Sequence, residues 1–164
     1  VFVFGSVVVF FLLFFVVFFL MIRRPPRSTL FPYTTSSDLY VAETPTARLW
    51  AFDLIAPGRA QKLPWPSPHG GRFIAGSSGY QRFDSLAVEA DGRVCVATLV
   101  NGGISVVSPD TGSVEHIPFP DPYTTNVCFG GDGLRTAYIT LSQSGQLIEA
   151  PWPRAGLALN YLNK

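Results

Sequence analysis

The sequence predicts an all-β protein made of repeated antiparallel sheets, as in a β-propeller. From Leu39 onward, short β-type runs alternate with turns rich in Gly, Pro and Asp, a pattern typical of strands joined by hairpins. No stretch in this part keeps the i, i+3, i+4, i+7 apolar spacing of an amphipathic helix. The same strand-and-turn pattern also recurs along the chain, and this recurrence favours a propeller over an open sandwich.

The predicted strands follow one another through turns that contain residues suited to tight bends, among them Asp91-Gly92, Gly102-Gly103 and the run 130–133. A Pro- and Gly-rich insertion, residues 56–83, separates the second strand from the third, and we place no strand within it. In chain order, the predicted strands are residues 39–44, 49–53, 85–89, 93–98, 104–108, 114–117, 126–129, 136–141 and 146–150.

The repeat is visible when residues 84–92 are laid over residues 125–133, an offset of 41. The strands that follow, residues 94–97 and 137–140, match at an offset of 43, and residues 40–42 occupy the same place one unit earlier. A period of about 40–50 residues with four strands per unit is typical of propeller blades. The sequence holds about two and a half to three such units, fewer than the four to eight that close a ring, so we expect a partial propeller.

The first 38 residues differ from the rest. Residues 1–20 carry no charged side chain and are long enough to read as a transmembrane helix. Residues 21–35 resemble a translated sequencing adapter, and residues 36–38 continue it after one lost base. We therefore expect residues 1–38 to be an artefactual, low-complexity and adapter-derived segment, and residues 39–164 to be the C-terminal half of a propeller whose own N-terminus is missing. A genuine membrane anchor is the alternative.

Charge and cysteine content exclude several classes of protein. Residues 40–164 contain nine Lys and Arg against ten Asp and Glu, which excludes a strongly basic nucleic-acid binder. Two cysteines are too few for a disulfide framework. We expect both thiols to be buried and the tryptophans to pack between blades; these residues are Cys95, Cys128, Trp50, Trp65 and Trp152.

Asp84 and Thr125 occupy the same place in the repeat, at the start of successive innermost strands. Innermost strands of a propeller line its central channel. A carboxylate in a narrow channel is costly unless it is paired or bound to a cation, and hard divalent cations take oxygen ligands. Asp84 is therefore the candidate metal-ligating residue.

Several of these segments resemble the SMP-30/gluconolactonase/luciferin-regenerating family. The segments that carry the resemblance are residues 39–44, 48–53, 83–92, 125–131 and 134–140. The resemblance implies a six-bladed propeller with one divalent cation, calcium or zinc, on the channel axis. It also implies hydrolysis of sugar lactones and related cyclic esters, so that the expected partner is a small-molecule lactone. We further expect the parent protein to be cytoplasmic.

The resemblance further implies roles for individual residues. The family holds its cation with a Glu, an Asn and an Asp, and of these only the Asp has a counterpart here, Asp84. Asp84 would also act as the catalytic base, and Thr125 would line the substrate site; the family usually has Gly where Ser85 stands. With one of three ligands left, we expect this chain to lose the cation and to be inactive.

Two alternatives to a lactonase fragment stay open from the sequence. The first is a non-enzymatic propeller that serves as a binding platform. The second is a membrane-anchored propeller protein, if residues 1–20 are genuine. We expect no nucleic-acid partner, and no membrane unless that second alternative holds; the sequence leaves the oligomeric state open.

Overall fold

The computed structural model describes residues 3–4, 7–12, 15–23, 37–56 and 59–159, which form three antiparallel sheets. A 3-10 turn at Asp132–Leu134 is the one helical element within these residues. The strands are β1 (Val3–Phe4), β2 (Val7–Leu12), β3 (Phe15–Arg23), β4 (Ser37–Glu43), β5 (Arg48–Ala56), β6 (Arg59–Ala60), β7 (Arg72–Gly76), β8 (Arg82–Val88), β9 (Val94–Leu99), β10 (Gly103–Val107), β11 (Val114–Ile117), β12 (Thr124–Gly130), β13 (Thr136–Leu141) and β14 (Gln146–Pro151).

The first sheet runs β1-β2-β3-β4-β5, and both β6 and β7 pair with β5. β3 pairs with the whole of β4, from Val17 opposite Glu43 to Arg23 opposite Ser37. The repeat aligns β4 with β9, whose inner neighbour is β8. β3 therefore lies beside β4 as β8 lies beside β9, but β3 also pairs with β2 on its other side.

The second sheet has the order β8-β9-β10-β11 and the third the order β12-β13-β14. Every predicted strand from residue 39 onward is present in the predicted order, with β11 and β13 at the predicted bounds. β6 and β7 lie inside the Pro- and Gly-rich insertion, where we placed no strand, and that expectation is wrong. β7 was missed because its short run, Arg-Phe-Ile-Ala-Gly, directly follows Gly70-Gly71, so that only its pairing with β5 reveals it as a strand.

The second sheet is the centre of the molecule because it carries an apolar cluster on each face. Along β9, Val94 and Val96 face the first sheet, and Cys95 and Ala97 face the third. The first cluster comprises Tyr40, Ala42, Ala47, Leu49, Ala51, Ile74, Ala75, Phe83, Leu86, Val88, Val94, Val96 and Val107. The second comprises Cys95, Ala97, Ile104, Val106, Val127, Ala137, Ile139, Leu141 and Trp152. Sheets stacked in this way are successive propeller blades, and the predicted fold class is confirmed.

A segment after β14, residues 152–157, links the second and third sheets, and we call it the interblade segment. The Leu157 N–H donates to the Val88 carbonyl of β8 at 2.8 Å. The Gly156 N–H donates to the Leu134 carbonyl beside β13, also at 2.8 Å. The segment therefore links the main chains of the second and third sheets by hydrogen bonds.

Two of the expectations about cysteine and tryptophan are wrong. Cys95 is buried as expected, but Cys128 is exposed because Val127 turns into the second cluster and its neighbours on β12 face the opposite side. Trp152 packs between sheets as expected. Trp65, in the loop between β6 and β7, is instead 90% exposed.

In the described ranges we find no helix that is long and apolar enough to cross a bilayer. The described residues of the first 38 belong to β1, β2, β3 and the start of β4. The boundary between residues 38 and 39 stays a prediction.

Candidate functional site

Asp84 lies in a β-bulge near the start of β8. Phe83 is opposite Thr98 and Leu86 is opposite Val96. Between these two pairs the chain advances by three residues on β8 but by two on β9. β8 therefore contains one extra residue, and Asp84 lies in this stretch. A bulge of this kind turns a side chain away from the regular alternation of a strand.

Thr125 lies in a bulge at the same place on the next innermost strand. Thr124 is opposite Leu141 and Asn126 is opposite Thr140, so that Thr125 is the extra residue of β12. Its hydroxyl is 2.9 Å from the hydroxyl of Thr140. Asp84 and Thr125, which are equivalent in the sequence repeat, therefore each lie in a β-bulge near the start of a strand, β8 in the second sheet and β12 in the third.

The carboxyl group of Asp84 is half-buried, and this burial raises its pKa from the ordinary 3.8 to about 6. A hydrogen bond from the backbone N–H of Ser85 lowers the pKa but offsets only part of the effect. At neutral pH the group is therefore mostly ionised, yet it holds a proton more readily than a surface aspartate. A pKa near the working pH suits a residue that takes up and releases protons during a reaction.

The two bulges are joined by the residues that follow them. The Ser85 hydroxyl donates to Oδ1 of Asn126, and the Val127 N–H donates to the same oxygen at 2.8 Å. Because Oδ1 accepts both bonds, the other end of this exposed amide is the Nδ2 donor, open to a ligand beside the bulges.

Sequence reasoning did not select Ser85 and Asn126 as a pair. The signal was present, since they are separated by 41 residues, the same offset that relates Asp84 to Thr125. Residues at one repeat offset lie at equivalent places in adjacent blades. A polar pair at that offset can therefore be read as a contact between blades.

Within the part of the chain that the structure describes, the side chains do not provide enough ligands to hold a divalent cation. No cluster of three or more His, Cys, Asp or Glu side chains occurs there. Asp84 offers one carboxylate, whereas calcium takes about six to eight oxygen ligands and zinc about four ligands. The described residues therefore do not fit a resident cation, and the predicted ligand role of Asp84 stays a prediction.

Stacked antiparallel sheets with bulged innermost strands define a protein of the β-propeller class. Within that class, the chain belongs to the SMP-30/Gluconolactonase/LRE-like family, whose profile matches residues 34–143. The match begins five residues before Leu39 and includes both Asp84 and Thr125.

Individual relatives agree with this membership. A 6-deoxy-6-sulfogluconolactonase of Pseudomonas putida is 34% identical over 71% of this chain and 39% of its own length. A diisopropyl-fluorophosphatase of Loligo vulgaris is 30% identical over 72% of this chain and 36% of its own length. Both names denote hydrolases, which makes hydrolysis the common chemistry of these relatives.

A solved structure shows the same fold. The luciferin-regenerating enzyme superposes with a TM-score of 0.60 at 19% identity, over 74% of this chain and 44% of its own. The chain thus spans less than half the length of each of these three relatives.

Proposed function

We propose that residues 39–164 form the part of a lactone hydrolase that carries its catalytic base. Asp84 is this base and activates a water molecule. The observation that carries the proposal is the carboxylate of Asp84, held in the bulge of an innermost strand with its pKa raised to about 6. Membership of the family and the similarity to a sulfogluconolactonase support a lactone as the substrate. The similarity to a fluorophosphatase supports hydrolysis in general but favours no lactone.

In this proposal the ionised Asp84 takes a proton from a water molecule as its oxygen attacks the carbonyl carbon of the lactone. The ring C–O bond then breaks, the leaving alkoxide takes up the proton, and an open-chain hydroxy acid leaves. Thr125 lines the substrate side of Asp84, as the resemblance implies. Asn126 is placed by Ser85 beside the two bulges, where its Nδ2 donates to a substrate oxygen.

We further propose that this chain alone does not turn over a lactone. An aspartate base supplies only part of the rate of an ester hydrolase, because charge on the carbonyl oxygen must also be stabilised as water attacks. The described residues provide Asn126 for this purpose but no cationic group near Asp84. A complete site therefore needs groups beyond those that the structure describes.

The test is a proton-release assay with gluconolactone at pH 7.5 on the full 164-residue chain, with calcium or zinc added in parallel. We expect hydrolysis no faster than that of an Asp84→Asn chain or of buffer. Metal-dependent release that Asp84→Asn abolishes would contradict the inactivity and support the base. Release that is faster than in buffer and that Asp84→Asn leaves unchanged would contradict both the inactivity and the role of Asp84.

A further inference from the structure

The turn between β9 and β10 carries an exposed asparagine followed by a glycine. Asn101 is exposed, and Gly102 follows it with a φ of 68°. The turn needs a glycine here, because a Cβ at Gly102 would overlap the carbonyl oxygen of Asp121. A glycine after an asparagine also leaves its own main-chain nitrogen unhindered, and this nitrogen can attack the side-chain amide of the asparagine.

The main-chain nitrogen of Gly102 is not engaged. Its N–H makes no hydrogen bond with any residue that the structure describes. The N–H groups on either side are both held: that of Asn101 donates to Oε1 of Gln81 at 2.9 Å, and that of Gly103 donates to the Thr124 hydroxyl at 2.9 Å. The turn is therefore fixed around a nitrogen that has no bond to break before it attacks.

The turn at Asp91-Gly92 provides a contrast within the same sheet. The Gly92 N–H donates to the Glu89 carbonyl at 2.9 Å, and the Asp91 carboxylate is paired with Arg93. Both the nitrogen and the group that it would attack are engaged there. Of these two turns, the one with Asn101 is therefore set up to react.

An imidazole ring lies beside the amide of Asn101. His116 Nε2 is 3.2 Å from Asn101 Nδ2 and 2.9 Å from the Gly102 carbonyl oxygen. Because a carbonyl oxygen only accepts hydrogen bonds, Nε2 carries a proton, and in the neutral ring Nδ1 accepts from the Ser105 hydroxyl at 3.3 Å. The Nε2 proton is thus next to the amide nitrogen that has to leave in a deamidation.

We propose that Asn101 is a site of spontaneous deamidation, with His116 as the acid that assists the departure of ammonia. The Gly102 nitrogen loses its proton to water and forms a bond to Cγ of Asn101. The Cγ–Nδ2 bond then breaks, Nδ2 takes the proton of His116 Nε2 and leaves as ammonia, and the imidazole regains a proton from water. Water opens the resulting succinimide ring at either carbonyl and yields aspartate or isoaspartate.

Mass spectrometry of the full chain tests the site, with a non-ionic detergent to disperse residues 1–20. The chain is incubated at pH 7.5 in water enriched in heavy oxygen, so that opening of the ring labels the product. Asn126 is the control in the same sample, since it is also exposed but is followed by the β-branched Val127. We expect Asn101 to be labelled about ten times faster than Asn126, because branching at Cβ hinders attack by the nitrogen. Equal rates, or no label at Asn101, would overturn the proposal.

His116→Gln tests the role of the imidazole. Glutamine keeps an N–H that can donate to the Gly102 carbonyl, but it gives up no proton at neutral pH. We expect labelling of Asn101 in the folded chain to slow about ten-fold, and labelling in urea, where the two side chains are apart, to be equal in both chains. Equal rates in the folded chains, or a difference that persists in urea, would overturn the role of His116.

Discussion

At the scale of the residue, Asp84 is held at a fixed backbone position in surroundings that disfavour its negative charge. The bulge of β8 holds the residue, and burial disfavours the ionised form. Because the folded pKa, about 6, lies above the ordinary 3.8, the folded chain binds more protons than the unfolded chain between these two values. Its stability therefore falls as the pH rises through this window.

This linkage gives a prediction for Asp84→Asn. Asparagine keeps the shape and loses the charge, so we expect it to stabilise the chain at pH 7.5 by about 1 kcal/mol, a value that allows for screening by solvent. Below pH 3.8 the two chains should be equally stable. Urea unfolding of both chains across this range measures the difference. Equal stability at pH 7.5 would show that Asp84 titrates as an ordinary surface carboxylate.

The sequence repeat predicts those features of the candidate site that depend on equivalent positions in adjacent blades. The offset of 41 identifies Asp84 and Thr125 as equivalent, and their matched bulges agree with it. The bulges themselves could not be read from the sequence, because a bulge is a property of the pairing of two strands. The contact of Ser85 with Asn126 lay within reach of the repeat, whereas the pKa of Asp84 depends on burial that no local pattern encodes.

At the scale of the element, the interblade segment is held by a buried carboxylate. Glu89, at the end of β8, is fully buried. It accepts hydrogen bonds from Trp152 Nε1 at 2.7 Å and from Arg154 Nε at 2.5 Å. Cys95 Sγ donates to it at 3.3 Å, and burial together with the Glu89 charge raises the pKa of this thiol well above its usual range. The protonated thiol is thus a third donor to Glu89.

Arg154→Ala should therefore destabilise the chain strongly. Removing the guanidinium leaves a charged carboxylate buried without its counter-ion, which costs about 3 kcal/mol. The matched control is Arg93→Ala, which breaks the exposed ion pair with Asp91 and should cost less than about 0.5 kcal/mol. Urea unfolding midpoints compare the two.

Adding Glu89→Gln to Arg154→Ala identifies the cause. Neutralising the buried carboxylate should recover part of the lost stability, since the penalty arises from its uncompensated charge. If the double variant is no more stable than Arg154→Ala, the arginine stabilises the segment through packing and not through charge.

Glu89 shows the limit of prediction at this scale. The strand that carries it was predicted from its β-type run and from the Asp91-Gly92 turn, both of which are local. Its burial depends on Trp152 and Arg154, more than sixty residues away. β7 was missed for the same reason, because its pairing with β5 spans an insertion of no fixed pattern.

At the scale of the whole molecule, the second sheet should be the most stable part of the chain. β9 and β10 are buried over nearly their whole length, between the two apolar clusters. The first sheet ends in β6, which is fully exposed, and in β7, which is half exposed. Opening of β6 and β7 therefore uncovers little apolar surface, whereas opening of β9 uncovers both clusters.

Amide hydrogen exchange of the full chain measures this order. We expect the amides of β9 and β10 to exchange slowest and close to the rate set by global unfolding, and those of β6 and β7 to exchange fastest among the strands. The amides of Ala87, on the adjacent β8, and Glu89, directly after it, point toward β9 and serve as an internal reference of intermediate protection. Uniform protection across the three sheets would mean that they unfold as one unit.

The matched bulges of β8 and β12 also bear on which side chains these two positions tolerate. In both blades the main chain determines where the irregular residue is held, and the sheets accept an acid at one position and a hydroxyl at the other. We therefore expect a substitution at either bulge to exchange the side chain presented there and to leave unchanged the strand register on which folding depends.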